Sequence, residues 1–203
     1  MRRLRRDAFK VMPWKNGGGE TAEIAVFPPQ AGMDDFGWRL SMARVAADGP
    51  FSCFEGIDRT LTILDGAGLD LTVEGVRHIL TPDSAPLRFP GDRPASADLL
   101  AGPVTDLNVM TRRGRYSHAV RRERLEAGQC LSVSAGFGFF LCQAGSFEAV
   151  GASETMSQTA DDCLIFADET VSFLAQGAAA AVLVSISPAP GVPPGERRGG
   201  ESA

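Results

Sequence analysis

The residues best equipped for chemistry in this chain are cations, amides and acids set beside glycines or alternating along apolar runs. Near the start, Lys15-Asn16-Gly17-Gly18-Gly19 places a cation and an amide beside consecutive glycines, followed by Glu20 and Thr21. Glycine N–H groups approach an anion without Cβ obstruction, so this segment suits a carboxylate or phosphate cradle, or simply a flexible turn. It has neither the GxxxxGK[ST] order of a P-loop nor the GxGxxG order that opens a dinucleotide-binding helix. Along Trp38-Arg39-Leu40-Ser41-Met42, strand alternation puts Arg39 and Ser41 on one face and the apolar side chains on the other. Arg59 alternates with Leu61 and Ile63, and an arginine among apolar neighbours points to a barrel mouth or an ion pair. Asp106 and Asn108 share a face with Met110, so two polar groups are presented together; Asp106 equally suits pairing with Arg39 or Arg59.

Other chemistries lack their residues. The only histidines are His78 and His118, with no HxH, HxxxH or HxxE grouping, so no metal site is expected and no cofactor is implied. His118 follows Tyr116 and Ser117 in a basic stretch and reads as a surface histidine rather than a proton-transfer group. There is no GxSxG elbow and no CxxC pair to supply a nucleophile, and no catalytic residue is assigned. Cys53, Cys130, Cys142 and Cys163 read as reduced, small core residues. A net charge of −5 is the wrong sign for a phosphate-backbone binder, and the short arginine clusters at residues 2–6, 112–115 and 121–124 read as solvated surface.

The elements that must carry these residues are strands. Between residues 20 and 187 short apolar runs alternate with turn signals such as Asp65-Gly66, Arg113-Gly114 and Ala144-Gly145 about every ten residues. Candidate strands are 23–27, 38–45, 59–64, 69–74, 104–111, 129–133, 138–143, 146–150, 162–166, 171–174 and 181–187. So many strands must close into barrels or pair into sandwiches, because a large open sheet leaves exposed edges. A short helix is expected around 96–101. A faint echo between residues 51–66 and 138–145 fits two barrel-like halves, about 1–115 and 116–187 of one compact unit, with a disordered Pro/Gly-rich tail over 188–203. The basic N-terminus lacks the apolar h-region of a signal peptide, and no run approaches the ~18 apolar residues of a membrane span, so a cytoplasmic protein is expected.

Several of these segments, in this order, resemble the HutD/Ves family. The resemblance begins at Pro13-Trp14-Lys15-Asn16-Gly17-Gly18-Gly19 with Thr21 and Glu23-Ile24 and continues through Trp38-Arg39-Leu40-Ser41 and Asp48-Gly49-Pro50-Phe51-Ser52. It extends to Phe54, Gly56, Arg59, Leu61, Phe89, Gly91-Asp92 and Asp106-Leu107-Asn108-Val109-Met110, covering about residues 4 to 187; Glu55 departs from it where a proline is usual. The resemblance implies a cupin-like double β-barrel of the RmlC-type jelly-roll class, without the histidine metal ligands of typical cupins. It also implies association with histidine utilisation, where such proteins are thought to sense or limit an intermediate such as urocanate or a formylated glutamate. The pocket it implies is formed by Lys15, Asn16, Gly17, Gly18, Gly19, Arg39, Ser41, Phe51, Phe54, Arg59, Asp106 and Asn108.

The expected function is therefore a metal-free protein that binds a small carboxylate, held by charge-assisted hydrogen bonds from Lys15, Arg39 and Arg59 with Phe51 and Phe54 over its apolar part. The alternative is a metal-independent enzyme, an isomerase or hydrolase, using Asp106 or His118 as acid or base. The partner expected is a small anionic ligand, with neither nucleic acid nor membrane; a homodimer is compatible with the chain.

Overall fold

The computed structural model describes residues 1–14 and 17–190, and these divide into two compact units. The first in sequence is Lys10–Ser117, which carries the strands β2 (Lys10–Pro13), β3 (Gly19–Phe27), β4 (Trp38–Val45), β5 (Gly49–Pro50), β6 (Ile57–Asp65), β7 (Leu69–Val73), β8 (Val76–Leu80), β9 (Leu87–Pro90), β10 (Ala95–Leu99) and β11 (Val104–Arg112). They form a six-stranded sheet in the order β2-β3-β4-β11-β6-β9 and a four-stranded sheet in the order β5-β10-β7-β8, with every registered pair antiparallel. Alternation explains the core. Ala43, Val45, Leu61, Ile63 and Val104 of the larger sheet meet Leu69, Leu71, Val73 and Ala97 of the smaller one.

The other unit is Met1–Phe9 with His118–Pro188. Its sheet has the order β12-β17-β13-β16-β14-β15, where β12 is Tyr116–Leu125, β13 Cys130–Ala144, β14 Ser146–Val150, β15 Thr155–Thr159, β16 Cys163–Ala175 and β17 Ala179–Pro188. The chain's first strand, β1 (Arg2–Leu4), adds to β16, with Arg3 opposite Leu164. The N-terminal residues therefore group with the C-terminal half, whereas sequence alone places them in the first half. The core of this unit is aromatic: Phe140 stacks on Phe173 with centroids 3.8 Å apart and meets the edge of Phe147 at 4.9 Å.

The structure corrects some expectations. The helix expected around 96–101 is instead β10, whose Ala97 points into the core and whose Ala95–Leu99 backbone pairs with β7. His118 is buried, 6% exposed, because the basic stretch around it is the strand β12 rather than a loop. Of the cysteines, Cys142 and Cys163 are buried, but Cys53 and Cys130 are exposed. The arginine clusters are more than solvated surface: Arg113 bridges Asp58 and Asp92, and Arg112 donates to the Phe36 carbonyl at 3.0 Å. No helix among the described residues is long and apolar enough to cross a membrane. The expected tail is described as far as Pro190; residues 191–203 lie outside the described residues.

Candidate functional site

A cavity of about 750 Å³ opens in the unit Lys10–Ser117, and its polar wall comes from the inner face of the larger sheet. The register of three strands builds that wall. Met110 on β11 sits between Arg39 on β4 and Arg59 on β6, and two residues further Asn108 sits between Ser41 and Leu61. With strands about 4.8 Å apart, the two arginines flank the central strand on one face. All of these polar groups are buried: Arg39 is 4% exposed, Ser41 1%, Arg59 6%, Asn108 4% and Asp106 0%.

Each cation is oriented before any ligand arrives. Arg39 donates from Nε to Oε2 of Glu23 at 2.7 Å and from Nη1 to the Ser41 hydroxyl at 3.2 Å. Arg59 donates from Nε to Oδ1 of Asn108 at 2.7 Å and adds a second, shorter bond to the same oxygen from Nη2. Its guanidinium also lies 4.4 Å from the centre of the Phe51 ring and 5.6 Å from that of Phe89, a cation–π arrangement that fixes its plane. The start of β6, which aims Arg59, is itself tethered. The Gly91 N–H donates to the Ile57 carbonyl at 2.7 Å, and Arg113 ties Asp58 to Asp92.

Behind Asn108 lies Asp106. The Asn108 amide donates to Oδ1 of Asp106, which fixes the amide so that its own oxygen faces Arg59. The other oxygen, Oδ2, is buried and makes no hydrogen bond to the described residues. Burial pushes the Asp106 carboxyl up to about 7, against the opposing pull of Arg59, the Asn108 amide and the Ala43 backbone. Burial likewise brings the Arg59 guanidinium down to about 10, with Asp106 opposing the change and Arg39 adding to it.

The expected site residues separate into groups. Gly18, Arg39, Ser41, Phe51, Phe54, Arg59 and Asn108 line the cavity, whereas Gly17, Gly19 and Asp106 do not. Lys15 and Asn16 lie outside the described residues. Among the described residues between the paired strands β2 and β3, Gly17 has φ +70°, its N–H donates to the Trp14 carbonyl at 3.1 Å, and the Trp14 N–H donates to the Gly19 carbonyl at 2.9 Å. A Cβ on Gly19 would run into the Arg44 carbonyl. The Gly18 carbonyl accepts the Ala46 N–H, just after β4, at 2.9 Å. Sequence reasoning missed Glu23, the partner of Arg39, and the apolar rim made by Met12, Trp14, Met33 and Pro50. The signal for Glu23 was its place on a strand flanking Arg39, where a buried guanidinium needs a counter-charge. Among the described residues no group of three or more His, Cys, Asp and Glu is arranged to hold a metal ion.

This wall can hold an anion: two oriented guanidinium groups, a hydroxyl and an amide converge beside aromatic and methionine side chains. Known proteins share the chain's sequence and its fold. A protein Ves from Citrobacter koseri is 44% identical over 112 residues, 53% of this chain and 56% of that protein. A Pseudomonas putida protein described as an uncharacterized 21.2 kDa protein in the hutC 3′ region is 42% identical over 115 residues, 56% of this chain and 59% of that one. The matched region thus spans under two thirds of these curated relatives' length. Among solved structures, a conserved protein of unknown function from Pseudomonas aeruginosa PAO1 superposes with TM-score 0.84 at 30% identity, covering 92% of this chain and 98% of that one. HutD from Pseudomonas fluorescens SBW25 gives 0.72 at 31% identity with the same coverage. A cupin conserved barrel protein from Leptotrichia buccalis, at TM-score 0.56 and 10% identity over 74% of this chain and 84% of that one, shares the fold alone. The fold is the cupin-like double β-barrel. Residues 6–183 match HutD, and the chain belongs to the HutD family.

Proposed function

We propose that this protein binds a small carboxylate in the cavity of the Lys10–Ser117 unit, and that it senses or limits an intermediate of histidine degradation in the cytoplasm. The observation that carries this reading is the pair of buried, pre-oriented guanidiniums of Arg39 and Arg59 on one cavity wall. Two cations are kept out of water there. Such groups suit charge-assisted hydrogen bonds to an anion, and a guanidinium fork matches a carboxylate edge. Phe51, Phe54 and Trp14 supply the apolar cover that a carbon skeleton needs. The P. putida relative's location beside hutC and the name of the P. fluorescens HutD support the pathway. Binding is favoured over turnover because neither Asp106 nor His118, the groups an isomerase or hydrolase would call on, lines the cavity, and Asp106 sits fully buried behind Asn108.

Thermal shift with urocanate, formiminoglutamate and N-formylglutamate tests the reading. A ligand at ~100 times its Kd stabilises the protein by about 2.7 kcal/mol, and Arg59→Ala should lose that shift. No stabilisation by any of the three would defeat the proposal.

A further inference from the structure

We propose that Asp106 sets the charge of the cavity and takes up a proton when an anion binds beside Arg39 and Arg59, making anion binding proton-linked. The inference rests on the ligand-binding reading above and adds how the site is regulated. Its basis is the charge inventory around Asp106. From β6 it faces Arg59; β4 contributes Arg39 and the Ala43 backbone; and β3 contributes Glu23, already bound to Arg39. The connection after β4 contributes Asp48, whose carboxylate accepts the Leu99 N–H at 2.7 Å. The inward side chains of β7 and β10 are Leu69, Leu71 and Ala97, while Asp70 of β7 is paired with Arg77. In the hydrogen-bonded cluster on and behind the wall the count among the described residues is Arg39 and Arg59 against Glu23 and Asp106, while Asp48 on the rim is exposed to solvent.

With Asp106 ionised those four side chains sum to zero, so an entering carboxylate leaves the cluster with a net negative charge. With Asp106 protonated the cluster is a monocation, and the same carboxylate neutralises it. The hydrogen-bond geometry favours the second state. A buried carboxylate needs donors on both oxygens, yet among the described residues Oδ2 makes no hydrogen bond and Oδ1 takes the Asn108 amide. Asn108 links the two events, because the amide held by Asp106 is the group whose oxygen holds Arg59. Binding an anion at Arg59 withdraws part of the positive field that keeps Asp106 ionised, and by reciprocity the proton on Asp106 strengthens anion binding. Asp106 touches no ligand and acts as a positioning and charge-setting residue.

The test is calorimetry of the full chain with N-formylglutamate, whose carboxyl groups stay ionised from about pH 6 to 8. Titrations at pH 8 in HEPES and in Tris, which differ in ionisation heat, should give different apparent heats that report uptake approaching one proton. Affinity should fall up to about tenfold from pH 6 to 8. In Asp106→Asn the affinity should be independent of pH and the two buffers should give one heat. Equal heats in both buffers with wild-type protein, or a retained pH dependence in Asp106→Asn, would overturn the proton linkage while leaving carboxylate binding intact. No binding at any pH would overturn the ligand reading itself. If Asp106→Asn does not fold, the two-buffer comparison on the wild type still decides.

Discussion

At the scale of the residue, Arg59 and Asp106 are where opposing effects meet most closely. Arg59 needs both its planar fork, which reaches Asn108 with two N–H groups, and its π surface, which lies against Phe51 and Phe89. A lysine keeps the charge but has neither. Arg59→Lys should therefore weaken carboxylate binding by about 1–3 kcal/mol while leaving the protein folded, read by calorimetry beside circular dichroism. Retention of wild-type affinity would show that only charge matters. Asp106 yields a stability prediction of defined sign. Its carboxyl, at about 7 in the folded protein, lies above the ordinary 3.8, so the native state keeps a proton that the unfolded chain releases. That contribution is complete below about pH 4, declines between about 4 and 7 with a slope of up to ~1.4 kcal/mol per pH unit, and is gone above. Urea unfolding should thus show wild type losing ground to Asp106→Asn as the pH rises from 5 to 8; parallel profiles would remove the buried-acid account. These residues were legible in the sequence because period-two alternation puts Arg39 with Ser41 and Asp106 with Asn108 whatever the fold. Their pairing was not, since Arg59 meets Asn108 only through a β6–β11 register set by long-range packing.

At the scale of the element, the β2–β3 hairpin shows glycines acting for distinct reasons. Gly17 is needed for its positive φ, with open space where a Cβ would stand, whereas Gly19 is needed because the chain passes against the Arg44 carbonyl and the Trp14 ring. Gly17→Ala should cost about 1 kcal/mol, from the left-handed conformation alone. Gly19→Ala must push backbone apart on β4, the strand carrying Arg39, and should cost about 1–3 kcal/mol and also weaken binding. Equal unfolding midpoints for the two variants would contradict the difference in packing. The sequence marks this segment as glycine-dependent but cannot separate the two causes, because the obstacle beside Gly19 comes from residue 44 across a sheet. Alternation missed several short strands, β8, β9 and β15 among them, and for two of the missed elements the physical cause is plain. β10 is built of Ala, Ser, Asp and Leu, residues that favour helix or turn on their own, and it is held by pairing with β7. β12 carries Arg121, Arg122 and Arg124 and lies at a sheet edge, where exposed charge is tolerated and the alternating pattern fades.

At the scale of the whole molecule, each unit has its own core, and burial rather than composition decides what the cysteines do. All four are free, and the short apolar context around Cys142 and Cys163 correctly reads as interior. Cys53 and Cys130 sit beside Phe54 and Leu131, so hydropathy alone assigns them inside as well, yet Cys53 lies in the exposed stretch before β6 and Cys130 opens β13. Reactivity follows the thiolate, which burial suppresses. Burial pushes Cys142 up to about 11 and Cys163 up to about 12, with Asp162 adding its negative field to both. Both groups are then neutral thiols, shielded from reagent, at any pH at which the protein would be assayed. An aromatic disulfide reagent at pH 8 should accordingly label two thiols per native chain within minutes and all four after denaturation. Replacing Cys53 and Cys130 by serine should abolish the fast phase without moving the unfolding midpoint by more than about 0.5 kcal/mol. Fast labelling of a third thiol in the native protein would mean that the Phe140–Phe173 core of the second unit opens on the same timescale, since Cys142 lies within that core.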